Sequence, residues 1–78
     1  MANPVSVIIV GAGGRGWGYA TYAERCPDEV KVVGVAEPRA FHRERVVKTH
    51  QVAREMTFRT WQELAPKPRL ADAVLICT

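Results

Sequence analysis

Three glycines near the N-terminus stand at a spacing suited to one kind of chemistry. Gly11, Gly13 and Gly16 read G-x-G-x-x-G. In such a turn the first glycine lets a strand reverse sharply. The second has no Cβ, so a pyrophosphate can approach the backbone, and the third lets the next helix lie close to the strand. That helix offers its free N–H groups and the positive end of its dipole to the phosphates. Gly14 adds backbone freedom, and Arg15 either lends a cation to a pyrophosphate or points at solvent.

An acid stands where this chemistry needs one. Glu37 follows Gly16 by 21 residues, the separation at which a carboxylate closing the second strand accepts hydrogen bonds from an adenosine ribose. The candidate ligand is therefore a dinucleotide, NAD or NADP. The Glu37 carboxylate repels a 2′-phosphate and so favours NAD. Arg39 and Arg43, just beyond it, can pair with a 2′-phosphate and so favour NADP. The two signals conflict, with a slight lean to NAD, and the choice stays open. The plainer alternatives are a purely structural glycine turn and a surface acid at a strand end.

These residues need elements to hold them. Val5–Val10 is β-branched and apolar between Pro4 and Gly11, which suits a strand buried on both faces. Residues 11–16 read as an irregular turn. Trp17 to Cys26 reads as a helix with Tyr19, Ala20 and Ala23 on one face, ended by Pro27. Gly18 inside it disfavours a helix by roughly 1 kcal/mol against alanine, which close packing on the sheet or ligand would explain. Val30–Ala36 is a second buried strand. A helix from about Ala40 to His50 is anchored by Phe41, Val46 and Val47.

A short strand fits around Met56–Phe58. Thr60 and Glu63 have capping-box spacing at the start of a short helix. Residues 65–69 read as a loop and residues 72–78 as a last apolar strand. The alternation predicts an α/β fold: a partial Rossmann fold, with a mainly parallel sheet of about four strands and flanking helices.

Composition narrows the classes. The chain has 78 residues, 47% hydrophobic and 24% charged, with a formal net charge of +3. This is a globular composition, and the length suits one small domain that buries only about 60% of its unfolded surface. No apolar run approaches the roughly 20 residues that span a bilayer, so no membrane partner is expected. Met1–Pro4 lacks a basic n-region, so no secretory signal is read. The two cysteines, Cys26 and Cys77, are too few and too far apart for a disulfide scaffold or a zinc site, so reduced thiols in the cytoplasm are expected.

Arg39, Arg43, Arg45, Lys48 and Arg54 form a basic stretch in which Glu44 is the only acid. No aromatic stacking pattern accompanies it, so a solvated helix face is read and no nucleic acid is expected. His42 and His50 read as surface histidines, Cys77 as a buried thiol, and Trp61 as a core or edge-packing aromatic. Trp17 reads as packing or surface, with cofactor contact an alternative.

Four blocks in order resemble a known family: residues 7–16, 32–38, 58–64 and 72–78. They look like the N-terminal half of the Gfo/Idh/MocA oxidoreductases, the family of glucose–fructose oxidoreductase and inositol dehydrogenase. The resemblance implies a nicotinamide-binding Rossmann domain serving hydride transfer on sugars, polyols or related alcohols and carbonyls. It implies that Gly11, Gly13, Gly14, Arg15 and Gly16 hold the pyrophosphate. Glu37 would meet the ribose, and Thr78 would lie beside the cofactor.

Family members continue past that threonine with a proline, a helix, a Glu-Lys-Pro motif carrying a catalytic lysine, and a second domain for substrate. None of these lies within the 78 residues, so no catalytic residue carries over. The expectation is the N-terminal part of a larger enzyme, which in full length could form a homo-oligomer. The alternative is a truncated or stand-alone nucleotide-binding module with no catalytic activity.

Overall fold

The computed structural model describes residues 4–67 and 69–77. The chain runs β1 (Val5–Val10), α1 (Gly14–Arg25), β2 (Val30–Ala36) and α2 (Ala40–His50). A single 3₁₀ turn (Arg54–Met56) then leads into β3 (Thr57–Phe58), α3 (Trp61–Leu64) and β4 (Ala73–Ile76). The four strands form one sheet in the order β3-β2-β1-β4, and every pairing is parallel. This is the α/β, partial Rossmann-like architecture that the alternation of elements predicts. Among the described residues no helix is long and apolar enough to cross a membrane.

The β1 and β2 boundaries fall where the β-branched runs begin and end. β1 lies in the middle of the sheet and buries Val7, Ile8, Ile9 and Val10. Val7 and Ile9 face α1 and α2, where they pack with Ala20, Ala23, Val32, Val35 and Val46. Val10, Ala36 and Phe58 form a smaller cluster on the other face, under Leu64 and Leu70. Burying these side chains is the main favourable contribution to folding, about 1.5–3 kcal/mol for each fully buried Val or Ile.

β4 forms the last apolar strand that the sequence predicts. It is an edge strand, shorter than residues 72–78, and its side chains alternate. Ala73 and Leu75 pack against the main core, while Val74 and Ile76 are exposed.

α1 begins three residues before the expected Trp17. The Trp17 N–H donates to the Gly13 carbonyl at 2.8 Å, so Gly14, Arg15 and Gly16 already form the first helical turn. Its buried stripe is Gly16, Ala20 and Ala23, whereas Tyr19 is half exposed. Gly18 is exposed, and a Cβ there would meet nothing within 4 Å, so close packing does not account for it. In α2, Val46 is the buried anchor, and Phe41 is 74% exposed. Thr60 caps α3 without a side-chain bond. Glu63 reaches one residue further back, where its Oε1 accepts from the Arg59 N–H at 2.9 Å.

Candidate functional site

The C-terminal ends of β1 and β2 meet at the glycine turn. The Gly11 N–H donates to the Ala36 carbonyl at 2.8 Å, which fixes the turn to the end of β2. Gly11 has φ 91°, a left-handed conformation that glycine adopts without penalty. A Cβ on Gly16 would stand 1.9 Å from the Gly11 carbonyl oxygen. Helix α1 can start directly over β1 only because Gly16 has no side chain. Its first turn carries no acid, and Gly13 gives no side-chain cap, so its leading N–H groups and dipole stay available to an anion.

Glu37 follows β2 and is 1% exposed. Its carboxylate turns inward onto the turn. Oε1 accepts from the Ala12 N–H at 2.7 Å and from Arg39 Nη2 at 3.1 Å. Oε2 accepts from the Arg39 backbone N–H at 2.7 Å and from Arg39 Nε at 2.9 Å. The Arg39 side chain, helped by the two backbone donors and opposed by burial, holds the Glu37 carboxyl at about 2. Glu37 is thus an ionised, buried anchor rather than a surface acid. Arg39 leans over the turn as well, with Nη2 2.9 Å from where a Cβ on Gly13 would stand. The space left by the bare Gly13 is filled by a guanidinium.

Two further arginines reach the same place from α2. Arg43 Nη1 donates to the Glu37 carbonyl at 2.8 Å. The Arg45 guanidinium stacks over the Trp17 ring at 4.0 Å, and its Nη2 lies 3.5 Å from the Ala12 carbonyl. The basic stretch is therefore not merely a solvated face. Sequence reading missed Arg45 as a partner of the turn. Its position one helical turn after Phe41 was the available signal, and its Cζ lies 5.8 Å from the Phe41 ring.

Gly11, Gly13, Gly14, Arg15, Gly16, Glu37 and Arg39 are thus gathered at one end of the sheet. Arg15 is exposed in the first turn of α1. Thr78 lies outside the described residues. A recess of about 430 Å³ opens there, and Gly11, Gly13, Glu37, Arg39, Trp61 and Cys77 contribute to its walls. Trp61 is more than half exposed at its rim, so it is not a core aromatic. Cys77 is half-buried, and burial pushes its thiol pKa up, which does not favour a nucleophile.

His50 is also not a surface histidine. Its Nε2 is buried without a hydrogen-bond partner among the described residues. Burial lowers its pKa against the opposing pull of Glu24 and the Ala20 backbone. No protein-family model matches the chain, and no curated protein or solved structure is found similar to it.

Proposed function

We propose that the protein binds a nicotinamide dinucleotide, NAD or NADP, at the C-terminal ends of β1 and β2. It would do so as the cofactor-binding part of an oxidoreductase of the Gfo/Idh/MocA type, acting on a sugar, polyol or related alcohol or carbonyl. The observation that carries this reading is the Gly11–Gly16 backbone contact. It brings the uncapped start of α1 directly over the end of β1, beside a recess of about 430 Å³. In open parallel sheets this is the crevice where ligands bind.

The residues present fit the group. The leading N–H groups of α1 offer donors to a pyrophosphate, and Arg15, in the first turn of that helix, offers a cation of opposite charge. The bound cofactor would supply hydride transfer. This chain's own residues bind and orient it, and Glu37 and Arg43 brace the end of β2 against the turn.

Calorimetric titration of the folded chain with oxidised and reduced NAD and NADP tests the reading. Saturable binding of at least one of them at a single site is expected. Absence of binding by all four to a folded sample would overturn it.

A further inference from the structure

We propose that the site selects the 2′-phosphorylated dinucleotide, NADP, and that Glu37 acts as the positioning residue that holds Arg39 for the 2′-phosphate. This rests on the dinucleotide reading above and reverses the role that a carboxylate at this position suggests from sequence alone.

Hydrogen-bond supply and demand decide the matter. A carboxylate has about four lone-pair sites. Four donors fill them on Glu37: the Ala12 N–H, the Arg39 backbone N–H, Arg39 Nε and Arg39 Nη2, all within 3.1 Å. A ribose diol donates to such an acid, and it finds no vacant acceptor unless the guanidinium is expelled. A phosphate needs donors instead. Arg39 still has them, because Nη1 makes no hydrogen bond among the described residues and the side chain is 59% exposed.

Charge points the same way. The negative charge that would repel a 2′-phosphate lies buried, and a contact guanidinium covers it on the solvent side. Arg43 adds a second cation at the same strand end, fixed to the Glu37 carbonyl. Its side chain is 16% exposed and forms a loose ion pair with Glu44 at 3.9 Å. Arg39 thus puts a cation on the wall of the recess although an acid lies beneath it.

The test is competitive binding by calorimetry with NADP⁺, NAD⁺, 2′-AMP and 5′-AMP. The two monophosphates share adenine, ribose and charge, and differ only in where the phosphate sits. This separates recognition of a 2′-phosphate from general affinity for a nucleotide phosphate. NADP⁺ is expected to bind roughly ten- to hundred-fold tighter than NAD⁺, the range of one charge-assisted contact, and 2′-AMP tighter than 5′-AMP. Equal binding, or tighter NAD⁺, overturns this inference and leaves the dinucleotide reading in place. No binding of any dinucleotide overturns both.

Glu37→Gln separates the two roles of the acid. If Glu37 positions Arg39, the variant binds NADP⁺ more weakly. If Glu37 repels the 2′-phosphate, the variant binds it more tightly, and the inference fails. Arg39→Gln is expected to collapse the NADP⁺/NAD⁺ ratio towards one, and an unchanged ratio overturns the proposal. Should circular dichroism show that Glu37→Gln does not fold, Arg39→Gln and the monophosphate pair decide.

Discussion

Gly16 and Gly11 meet backbone to backbone, with 1.9 Å between the Gly11 carbonyl oxygen and the point where a Cβ on Gly16 would stand. No rotamer change relieves that overlap, because both groups belong to the main chain. Either α1 must lift from β1 or the turn must open. Gly16→Ala is therefore expected to destabilise the protein by about 3 kcal/mol or more. A urea midpoint equal to that of the parent chain would contradict this.

Gly18, two residues along the same helix, is the counterexample. It is exposed and nothing lies within 4 Å of its missing Cβ. Gly18→Ala is expected to stabilise the protein by about 1 kcal/mol, through helix propensity and a smaller unfolded-state entropy. The thermal midpoint should rise. A fall would mean that the open space beside α1 is used.

Glu37 makes the fold sensitive to acid. Its ordinary pKa is 4.5, and in the folded protein it is held at about 2. The folded state thus binds the proton less readily than the unfolded chain does. The stability from this group is present above pH 4.5 and is lost as pH falls from there towards 2. Unfolding free energies measured across that window should slope for the parent chain and flatten for Glu37→Gln. Parallel slopes would count against the assignment.

His50 acts in a higher window. Burial lowers its pKa from 6.5, so the unfolded chain takes up the proton first. Stability should therefore drop as pH falls below 6.5, and it should be insensitive to this group above that. Burial of the ring disfavours its charged form, outweighing Glu24 and the Ala20 backbone. Titrating unfolding between pH 7.5 and about 5 should show the slope in the parent chain and its loss in His50→Gln.

Arg45 ties α2 to the start of α1 through the Trp17 ring. A cation–π contact of this kind contributes about 0.5–1 kcal/mol at an exposed site and more when desolvated. Arg45→Met should lower stability by about that amount and shift the Trp17 emission, since it removes the charge from the ring face. Emission unchanged against a Trp61→Phe background would argue that the stacking does not persist in solution.

Much of the architecture was legible because its causes are local. β1 and β2 are runs rich in β-branched residues, stopped by Gly11 and by Glu37-Pro38, and their limits follow from those residues alone. α2 was placed correctly for the same reason. Errors appeared where a neighbour had to be known. Tyr19 lies beside the Gly16–Ala20–Ala23 stripe, and Phe41 is off the stripe that buries Val46. Periodicity groups residues on a helix face, but it does not say how wide a strip the sheet will cover. The start of α1 was hidden because Gly14 and Gly16 are poor helix formers, and only Gly16 is held in the helix by its fit against β1.

The sequence by itself determined the alternation of strands and helices, the glycine turn, and the presence of an acid and an arginine two residues apart after β2. All of these depend on residues close together in the chain. Only the tertiary structure decided what that acid does. The Ala12 N–H that helps turn Glu37 inward lies 25 residues away in sequence and arrives only when β1 and β2 pair. Glu37 and Arg39 then meet at a buried strand end, where the carboxylate must be matched by donors or lose its charge. A motif fixes which groups are available, and burial and pairing fix which of them remain free for a ligand.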